Sequence, residues 1–202
     1  MGVRDRPHPS APNFMTRVTS ALALAGALML TSLVAAPAVA QDYDPEARLA
    51  EMGITLPERS VEGRMFNQAV QTGNLVFTSG HAPCGEWPEE AGDFRGRGKV
   101  PTDVSPEMAQ LAARQVAICT LASLKAHLGD LSRVTRVVRV FGMVNSDADF
   151  TGQSGVMNAA SQFLMDVFGE ERGRHVRSAV GMASLPVGLT VEIEMVFEVE
   201  NN

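Results

Sequence analysis

Residues 190–199 show the most regular alternation of apolar and polar positions in the chain. Every second side chain is apolar, and glutamate fills three of the positions between them. Successive side chains of a strand point to opposite faces of a sheet, so this pattern predicts a strand with one buried and one exposed face. The positions predicted to be buried are Val191, Ile193, Met195, Phe197 and Val199.

Residues 105–129 carry the signals of a long helix. Ser105 is a good N-cap, Pro106 fits the first turn, and Glu107 favours the positive end of the helix dipole. Apolar side chains then recur at roughly helical spacing until Gly129, which provides a stop. The positions predicted to face the core are Met108, Leu111, Ala112, Cys119, Ala122 and Leu124.

The remaining apolar runs complete a mixed fold. They predict a helix over 45–52, strands over 65–70 and 75–79 joined by a hairpin turn, a strand over 134–144, a helix over 147–168 closed by Gly169, and a strand over 177–183 before a Leu185-Pro186 turn. The order ββαβαββ is typical of an α+β domain in which two helices cover one face of a sheet. The other face is then solvated or buried by partner subunits, and the lack of a second helix layer favours oligomerisation.

A long irregular segment, residues 83–101, interrupts this pattern. It is rich in glycine, proline and charge, and it contains the only tryptophan, Trp87. Long segments without regular structure are uncommon inside a compact domain. The composition therefore indicates either a lid or a disordered insert.

The pattern of the N-terminal 40 residues predicts a targeting segment. Arg17 precedes an apolar run over 21–36, which ends at Ala38-Val39-Ala40. A positive region, a short apolar core and an Ala-x-Ala exit are typical of a cleaved secretory signal. A transmembrane anchor is the alternative, with an apolar stretch of ~20 residues. We expect residues 1–40 to be a signal peptide with an upstream extension, Met15 being an alternative start, and residues 41–202 to be one periplasmic or secreted domain.

Composition and charge exclude several function classes. The chain has 202 residues, 45% of them hydrophobic and 20% charged, as in an ordinary globular protein. Its net charge is -6. Residues 1–40 hold three arginines and one aspartate, so the rest has 14 basic and 22 acidic side chains, a net charge of -8. This acidic balance argues against a nucleic-acid binder.

The two cysteines, Cys84 and Cys119, are too few for a disulfide framework. Export makes a bridge between them chemically possible. However, Cys119 lies on the apolar side of the predicted helix, where a free buried thiol is the usual finding. We therefore expect both cysteines to be unpaired.

Arg177 and Glu192 form the first candidate site. The strands that carry them are predicted to be adjacent and antiparallel, joined by the Leu-Pro turn. A guanidinium could hold an anionic substrate in bidentate fashion, and a nearby carboxylate could deprotonate a water molecule. The alternative is an ordinary salt bridge on an exposed sheet face.

Ser79 and Gly80 form the second candidate, at the end of a predicted strand. Gly80 would let a ligand approach the backbone, and Ser79 could donate a hydrogen bond; a plain strand-to-loop turn is the alternative.

The histidines do not have the sequence spacing of metal ligands. His127 falls in the last turn of a helix, whereas His175 either lines the site of Arg177 or lies in a solvated loop. No P-loop or dinucleotide motif occurs, so no cofactor is expected.

Three motifs in order resemble the Rid family, the YjgF-type reactive-intermediate deaminases, also called L-PSP endoribonucleases. The resemblance covers about residues 49–198. It rests on these matches: residues 73–80 (GNLVFTSG), Asn158 in the second long helix, and Arg177-Ser178-x-Val180 followed by Leu185-Pro186 and Val191-Glu192-Ile193-Glu194.

This resemblance implies a homotrimer of chorismate-mutase-like subunits with clefts at the subunit interfaces. Family members hydrolyse reactive enamines and imines, such as 2-aminoacrylate, to 2-oxo acids and ammonia without a metal or organic cofactor. By analogy, Arg177 would pair with the substrate carboxylate and Glu192 would activate the attacking water. A non-catalytic trimer that binds a small carboxylate or a partner protein in the same clefts, or acts as a holdase, is the alternative.

The resemblance also implies roles for residues around this pair. The backbone at Ala179 would bond near the reacting nitrogen, Ser79 and Gly80 would shape the pocket, and Asn158 would support the interface. The chain departs from the family at Phe66, where a tyrosine is common. It departs again at Ala179, where many members have cysteine, and at His175, where a small residue is usual.

Overall fold

The chain folds into a five-stranded sheet with helices on one face. The structure is a computed structural model, and it describes residues 43–60 and 65–200. The predicted signal segment lies outside the described residues. The helices are α1 (Pro45–Glu51), α2 (Pro106–Leu128) and α3 (Gln153–Gly173), and the strands are β1 (Ala69–Thr72), β2 (Leu75–Thr78), β3 (Val134–Asn145), β4 (Val176–Met182) and β5 (Val191–Val199).

The ends of α2 lie where the sequence places them. The Ser105 hydroxyl accepts a hydrogen bond from the backbone N–H of Met108 at 3.3 Å. Gly129 follows the last turn with φ of 84°, a left-handed conformation that glycine adopts without steric cost. His127 lies in the last turn of α2, as predicted. The predicted boundaries of this helix are therefore confirmed.

The second long helix begins six residues later than predicted. Asp147 does not start it, because its backbone N–H donates to the carbonyl of Val100 and its carboxylate accepts from the hydroxyl of Thr102. These bonds tie the segment before α3 to the end of the long loop. Gly169 interrupts the helix with φ of 79°, close to the predicted end, and one more short stretch continues to Gly173.

The strand order corrects one prediction. The sheet runs β1-β2-β5-β3-β4, so β3 separates β4 from β5. β4 pairs in parallel with β3, because α3 forms a crossover between them. β5 then enters the sheet antiparallel to both β2 and β3. The prediction that β4 and β5 are adjacent antiparallel strands is wrong.

The main core lies between the helices and one face of the sheet. It includes the five predicted apolar positions of β5, all nearly inaccessible to solvent. A smaller apolar cluster of Met143, Leu185 and Leu189 lies apart from this core. Val176 is 66% exposed and Phe77 45% exposed. The predicted α+β class with helices on one face is therefore confirmed.

The long loop over 83–101 is not a disordered insert. Trp87 packs edge-on against Phe94, with ring centroids 5.3 Å apart. Further along, the carbonyl of Gly96 and the N–H of Gly98 bond to the segment before β5. Those backbone bonds and the buried side chain of Val100 attach the loop to the domain.

No helix in residues 43–60 and 65–200 is long and apolar enough to cross a membrane.

Candidate functional site

Arg177 lies on β4 and reaches toward α3. Its Nη1 donates to the hydroxyl of Ser161 at 2.9 Å. Its Nη2 donates to the carbonyl of Ser154 at 3.2 Å and to Oδ1 of Asn158 at 3.0 Å. These bonds occupy three of the five N–H donors of a guanidinium, so two remain for an anion. Burial lowers the pKa of Arg177, but the side chain keeps its charge at any physiological pH.

Ala179 lies two residues further along β4 and therefore on the same face of the strand as Arg177. Its side chain packs against the main core beneath the helices. Asn158, the third residue predicted for this region, is in direct contact with the guanidinium. The structure thus brings Arg177, Asn158 and Ala179 together in one arrangement, which we call the arginine half-site.

Glu192 lies on β5 and points away from the helices, because its neighbours Val191 and Ile193 point into the main core. Its carboxylate occupies the space beside Gly80. A Cβ added at residue 80 would stand 1.9 Å from Oε1 of Glu192. Burial raises the pKa of Glu192 above its ordinary value, and the charge of Glu194 raises it further.

Phe66 and Gly80 line a pocket of about 240 Å³ at the end of β2. The side chain of Phe66 is 60% exposed. The Ser79 carbonyl oxygen lies 2.8 Å from Nδ1 of the buried His81. We call the group of Glu192, Gly80, Ser79 and Phe66 the glutamate half-site.

A disulfide between Cys84 and Cys119 corrects a second prediction. Cys119 is fully buried on α2, as expected. The chain after β2 crosses this part of the helix, however, and the side-chain amide of Gln115 donates to the carbonyl of Cys84. An apolar helix position can hold a buried disulfide as well as a free thiol, and the sequence pattern alone did not distinguish them. The bridge therefore joins the loop after Gly80 to α2.

The two half-sites lie apart within one chain. Arg177 of β4 lies opposite Val140 of β3. Glu192 of β5 lies opposite Met143, on the other side of β3. Two strand spacings of about 4.8 Å and three residues along β3 separate them. They also lie on opposite faces, because Arg177 contacts α3 and Glu192 points away from it. One copy of the chain does not bring Arg177 and Glu192 together.

The sequence analysis missed one neighbour of Arg177 and left the place of another, His175, open. Ser161 of α3 was not singled out, although it lies three residues after Asn158 and so on the same helix face. His175 is half-buried and not in a solvated loop: its Nε2 lies 3.0 Å from the hydroxyl of Ser161. The alternating spacing of His175 and Arg177 was the available signal.

Within the described residues, no group of three His, Cys, Asp or Glu side chains could hold a metal ion.

Comparison with known proteins decides the family. Residues 46–198 match the family described as "YjgF/chorismate mutase-like, putative endoribonuclease", which is more than half of the chain. The chain belongs to the YjgF/chorismate mutase-like family. The protein TCP17 of Trypanosoma cruzi is 38% identical over 157 residues, which cover 77% of this chain and 94% of TCP17.

Two solved structures share the fold. The protein Atu1372 of Agrobacterium tumefaciens, described as of unknown function, is 40% identical with a TM-score of 0.68, over 77% of this chain and 93% of that one. A "putative endoribonuclease" from Shewanella oneidensis MR-1 is 26% identical with a TM-score of 0.69, over 77% of this chain and 99% of that one. The resemblance inferred from the motifs is therefore confirmed at the level of the family.

Proposed function

We propose that this protein hydrolyses reactive enamines and imines of 2-amino acids to 2-oxo acids and ammonia, at clefts formed between the subunits of a homotrimer. One observation carries the proposal. A single chain holds a carboxylate receptor, Arg177 with Asn158, and a partly buried carboxylate, Glu192 beside Gly80, on opposite faces of its sheet. The arginine half-site of one copy and the glutamate half-site of another complete one site.

The proposed chemistry needs only these groups. The substrate carboxylate accepts hydrogen bonds from the two N–H donors of Arg177 that the protein leaves open. This contact places the imine carbon beside a water molecule held by Glu192. The Glu192 carboxylate takes a proton from that water while the oxygen of the water forms a bond to the imine carbon. That proton passes to the nitrogen and gives a carbinolamine, with a hydroxyl and an amino group on the same carbon. Glu192 then takes the hydroxyl proton and transfers it to the nitrogen while the carbonyl forms and the carbon–nitrogen bond breaks, so that ammonia leaves together with the 2-oxo acid.

The raised pKa of Glu192 suits a general base. A carboxylate with an ordinary pKa is a weak base near neutral pH, and a higher pKa strengthens it while it stays largely ionised. An imine is intrinsically labile, so orientation by Arg177 together with one base is sufficient catalytic machinery.

The uncovered face of the sheet supports the assembly. Phe77 and Val176 expose large apolar side chains on this face, and a second, buried apolar cluster of Met143, Leu185 and Leu189 lies outside the main core. Exposed apolar side chains favour burial against another protein surface. β4 is also an edge strand, so Arg177 lies where a neighbouring copy can approach it. The family resemblance supplies the expected number of copies, three.

Export of the protein to the periplasm or beyond completes the proposal. It rests on the signal-like sequence of residues 1–40. The disulfide between Cys84 and Cys119 agrees with it, since such bonds persist mainly in oxidising compartments.

A non-catalytic carboxylate-binding protein is the second candidate. Phe66 and Ala179 favour it, because they remove the hydroxyl and the thiol that related proteins carry at these positions. RNA cleavage, suggested by the description of some relatives, has less support. The net charge of -6 opposes binding to a phosphate backbone.

The test measures ammonia and 2-oxo acid release from freshly generated 2-imino acids. Protein that comprises residues 41–202 is compared with Arg177→Ala and with the control Arg174→Ala, which removes an exposed arginine whose side chain pairs with Glu170. We expect Arg177→Ala to lose at least about 100-fold in kcat/KM, and Arg174→Ala to match the parent. Arginine-dependent carboxylate binding without ammonia release would favour the binding protein. Equal turnover above the buffer rate in the parent and Arg177→Ala would refute the proposed role of Arg177 as the carboxylate receptor.

A further inference from the structure

A chain of hydrogen bonds links Arg177 to His175 through Ser161. Arg177 Nη1 lies 2.9 Å from the hydroxyl oxygen of Ser161, and that oxygen lies 3.0 Å from Nε2 of His175. The other ring nitrogen, Nδ1, lies 2.7 Å from the carbonyl oxygen of Gly173. Ser161 is therefore held between the guanidinium and the imidazole, and the imidazole is held by the backbone at the end of α3.

The donors and acceptors of this chain fix the state of His175. A carbonyl oxygen can only accept, so Nδ1 of His175 carries a hydrogen and donates it to Gly173. In the neutral ring, Nε2 is then an acceptor and receives the hydroxyl hydrogen of Ser161. The lone pairs of the Ser161 oxygen remain available for Arg177. Every contact has one donor and one acceptor when His175 is neutral.

A proton on Nε2 changes this arrangement. Nε2 becomes a donor, so the Ser161 oxygen receives hydrogen bonds from two cations and its own hydrogen must turn away. The charges that surround His175 do not offset this cost. On β4 the nearby charge is Arg177 itself. Just after α3, Arg174 is paired with Glu170, and on β3 Arg139 lies over the ring of Phe141.

We propose that Ser161 and His175 are positioning residues for Arg177, and that carboxylate binding at Arg177 is coupled to proton uptake by His175. The inference rests on the proposed function, in which Arg177 is the carboxylate receptor. Ser161 fixes the direction of the guanidinium, and His175 fixes the direction of the Ser161 hydroxyl. Neither residue needs to touch the substrate.

The sign of the coupling follows from the charges. Burial lowers the pKa of His175, the hydrogen bond to Gly173 raises it, and the positive charge of Arg177 lowers it, so the pKa lies below its ordinary value. An anion bound at Arg177 offsets that positive charge and makes a proton on His175 less costly. Coupling between two binding events is reciprocal, so a proton on His175 also tightens carboxylate binding. Binding should therefore strengthen as the pH falls through the pKa of His175.

The experiment measures the Kd of 2-oxobutanoate by calorimetry from pH 5 to pH 8. All variants carry Glu192→Gln, because Glu192 also titrates and would impose a pH dependence of its own. We expect the Kd to fall about fivefold between pH 8 and pH 5, the low end of usual coupling factors. The further change His175→Gln should remove this dependence. Ser161→Ala should weaken binding at every pH, and Ser161→Thr, which keeps the hydroxyl, should restore it.

The outcomes separate the two proposals. Binding that has the same pH dependence with and without His175→Gln overturns the coupling but leaves the proposed function standing. An unchanged Kd in Ser161→Ala, or a neutral His175 with its hydrogen on Nε2 in nitrogen NMR, overturns the positioning role. Absence of carboxylate binding by protein with Arg177 intact overturns the proposed function and the coupling together.

Discussion

A carboxylate oxygen of Glu192 occupies the position beside Gly80 that a side chain at residue 80 would need. The distance from Oε1 of Glu192 to a Cβ built there would be 1.9 Å, far inside van der Waals contact. The missing side chain of Gly80 therefore determines where the Glu192 carboxylate can lie. It connects the strand-end motif at Ser79-Gly80 to the acidic residue of β5, two features that the sequence presents more than a hundred residues apart.

Replacing Gly80 with alanine should displace the Glu192 carboxylate while leaving Arg177 undisturbed. We expect Gly80→Ala to lower kcat/KM for 2-imino acids by about 100-fold, the low end of what a general base contributes. The Kd of 2-oxobutanoate should stay within about twofold of the parent value, since Arg177 remains in place. Gly155→Ala is the matched control, because a Cβ at residue 155 meets nothing within 4 Å. Unchanged turnover in Gly80→Ala would show that Glu192 does not need this position.

The raised pKa of Glu192 predicts the pH dependence of both activity and stability. Turnover should fall as the pH drops through this raised pKa, because the base must be ionised. The folded state holds the proton more tightly than the unfolded state, so ionisation of Glu192 lowers the free energy of unfolding as the pH rises through the two pKa values. Above that window the cost is fully present, and below it the cost vanishes.

Glu192→Gln should therefore leave stability unchanged at pH 4 and raise it slightly at pH 8. The carboxylate is only partly buried in a single chain, so the gain should be about 0.5 kcal/mol or less, or about 1–2 °C in Tm. Thermal unfolding of the parent and the variant at both pH values gives the comparison. A variant that is less stable than the parent at pH 8 would contradict burial as the cause of the raised pKa.

The disulfide between Cys84 and Cys119 predicts a stability that depends on redox conditions. The bridge closes a loop of 35 residues, for which the entropic account gives about 2–4 kcal/mol. We expect reduction, or the double change Cys84→Ser and Cys119→Ser, to lower the free energy of unfolding by that amount. Protein purified without reductant should show no free thiols after denaturation. Two free thiols in that sample would contradict the bridge.

The sequence predicted the elements that local chemistry determines. Alternation along β5 and the caps at Ser105 and Gly129 depend on residues close together in the chain, and both matched the structure. The start of α3 could not be predicted in this way, because the backbone of Asp147 bonds to Val100, 47 residues earlier. Local propensity does not include such long-range partners.

The candidate site shows the same division. Motif resemblance selected Arg177, Asn158, Glu192 and Gly80, and the structure pairs the first two and the last two. Their separation depends on strand order: Leu185-Pro186 suggests a tight hairpin, whereas the chain passes over β3 before it enters the sheet as β5. The disulfide likewise depends on where the loop after β2 crosses α2.

The separation of the half-sites leads to a complementation experiment. If Arg177 of one copy acts with Glu192 of a neighbour, then Arg177→Ala and Glu192→Gln should each abolish turnover alone but restore it when the two variants are co-expressed. An interface is intact when it takes Arg177 from a Glu192→Gln subunit and Glu192 from an Arg177→Ala subunit. In a cyclic trimer that contains both variants, one of the three interfaces meets this condition. Mixed trimers isolated through two different affinity tags should therefore show about one third of the parent activity. If both residues of a site came from the same copy, no mixed trimer would contain an intact site, and co-expression would remain inactive.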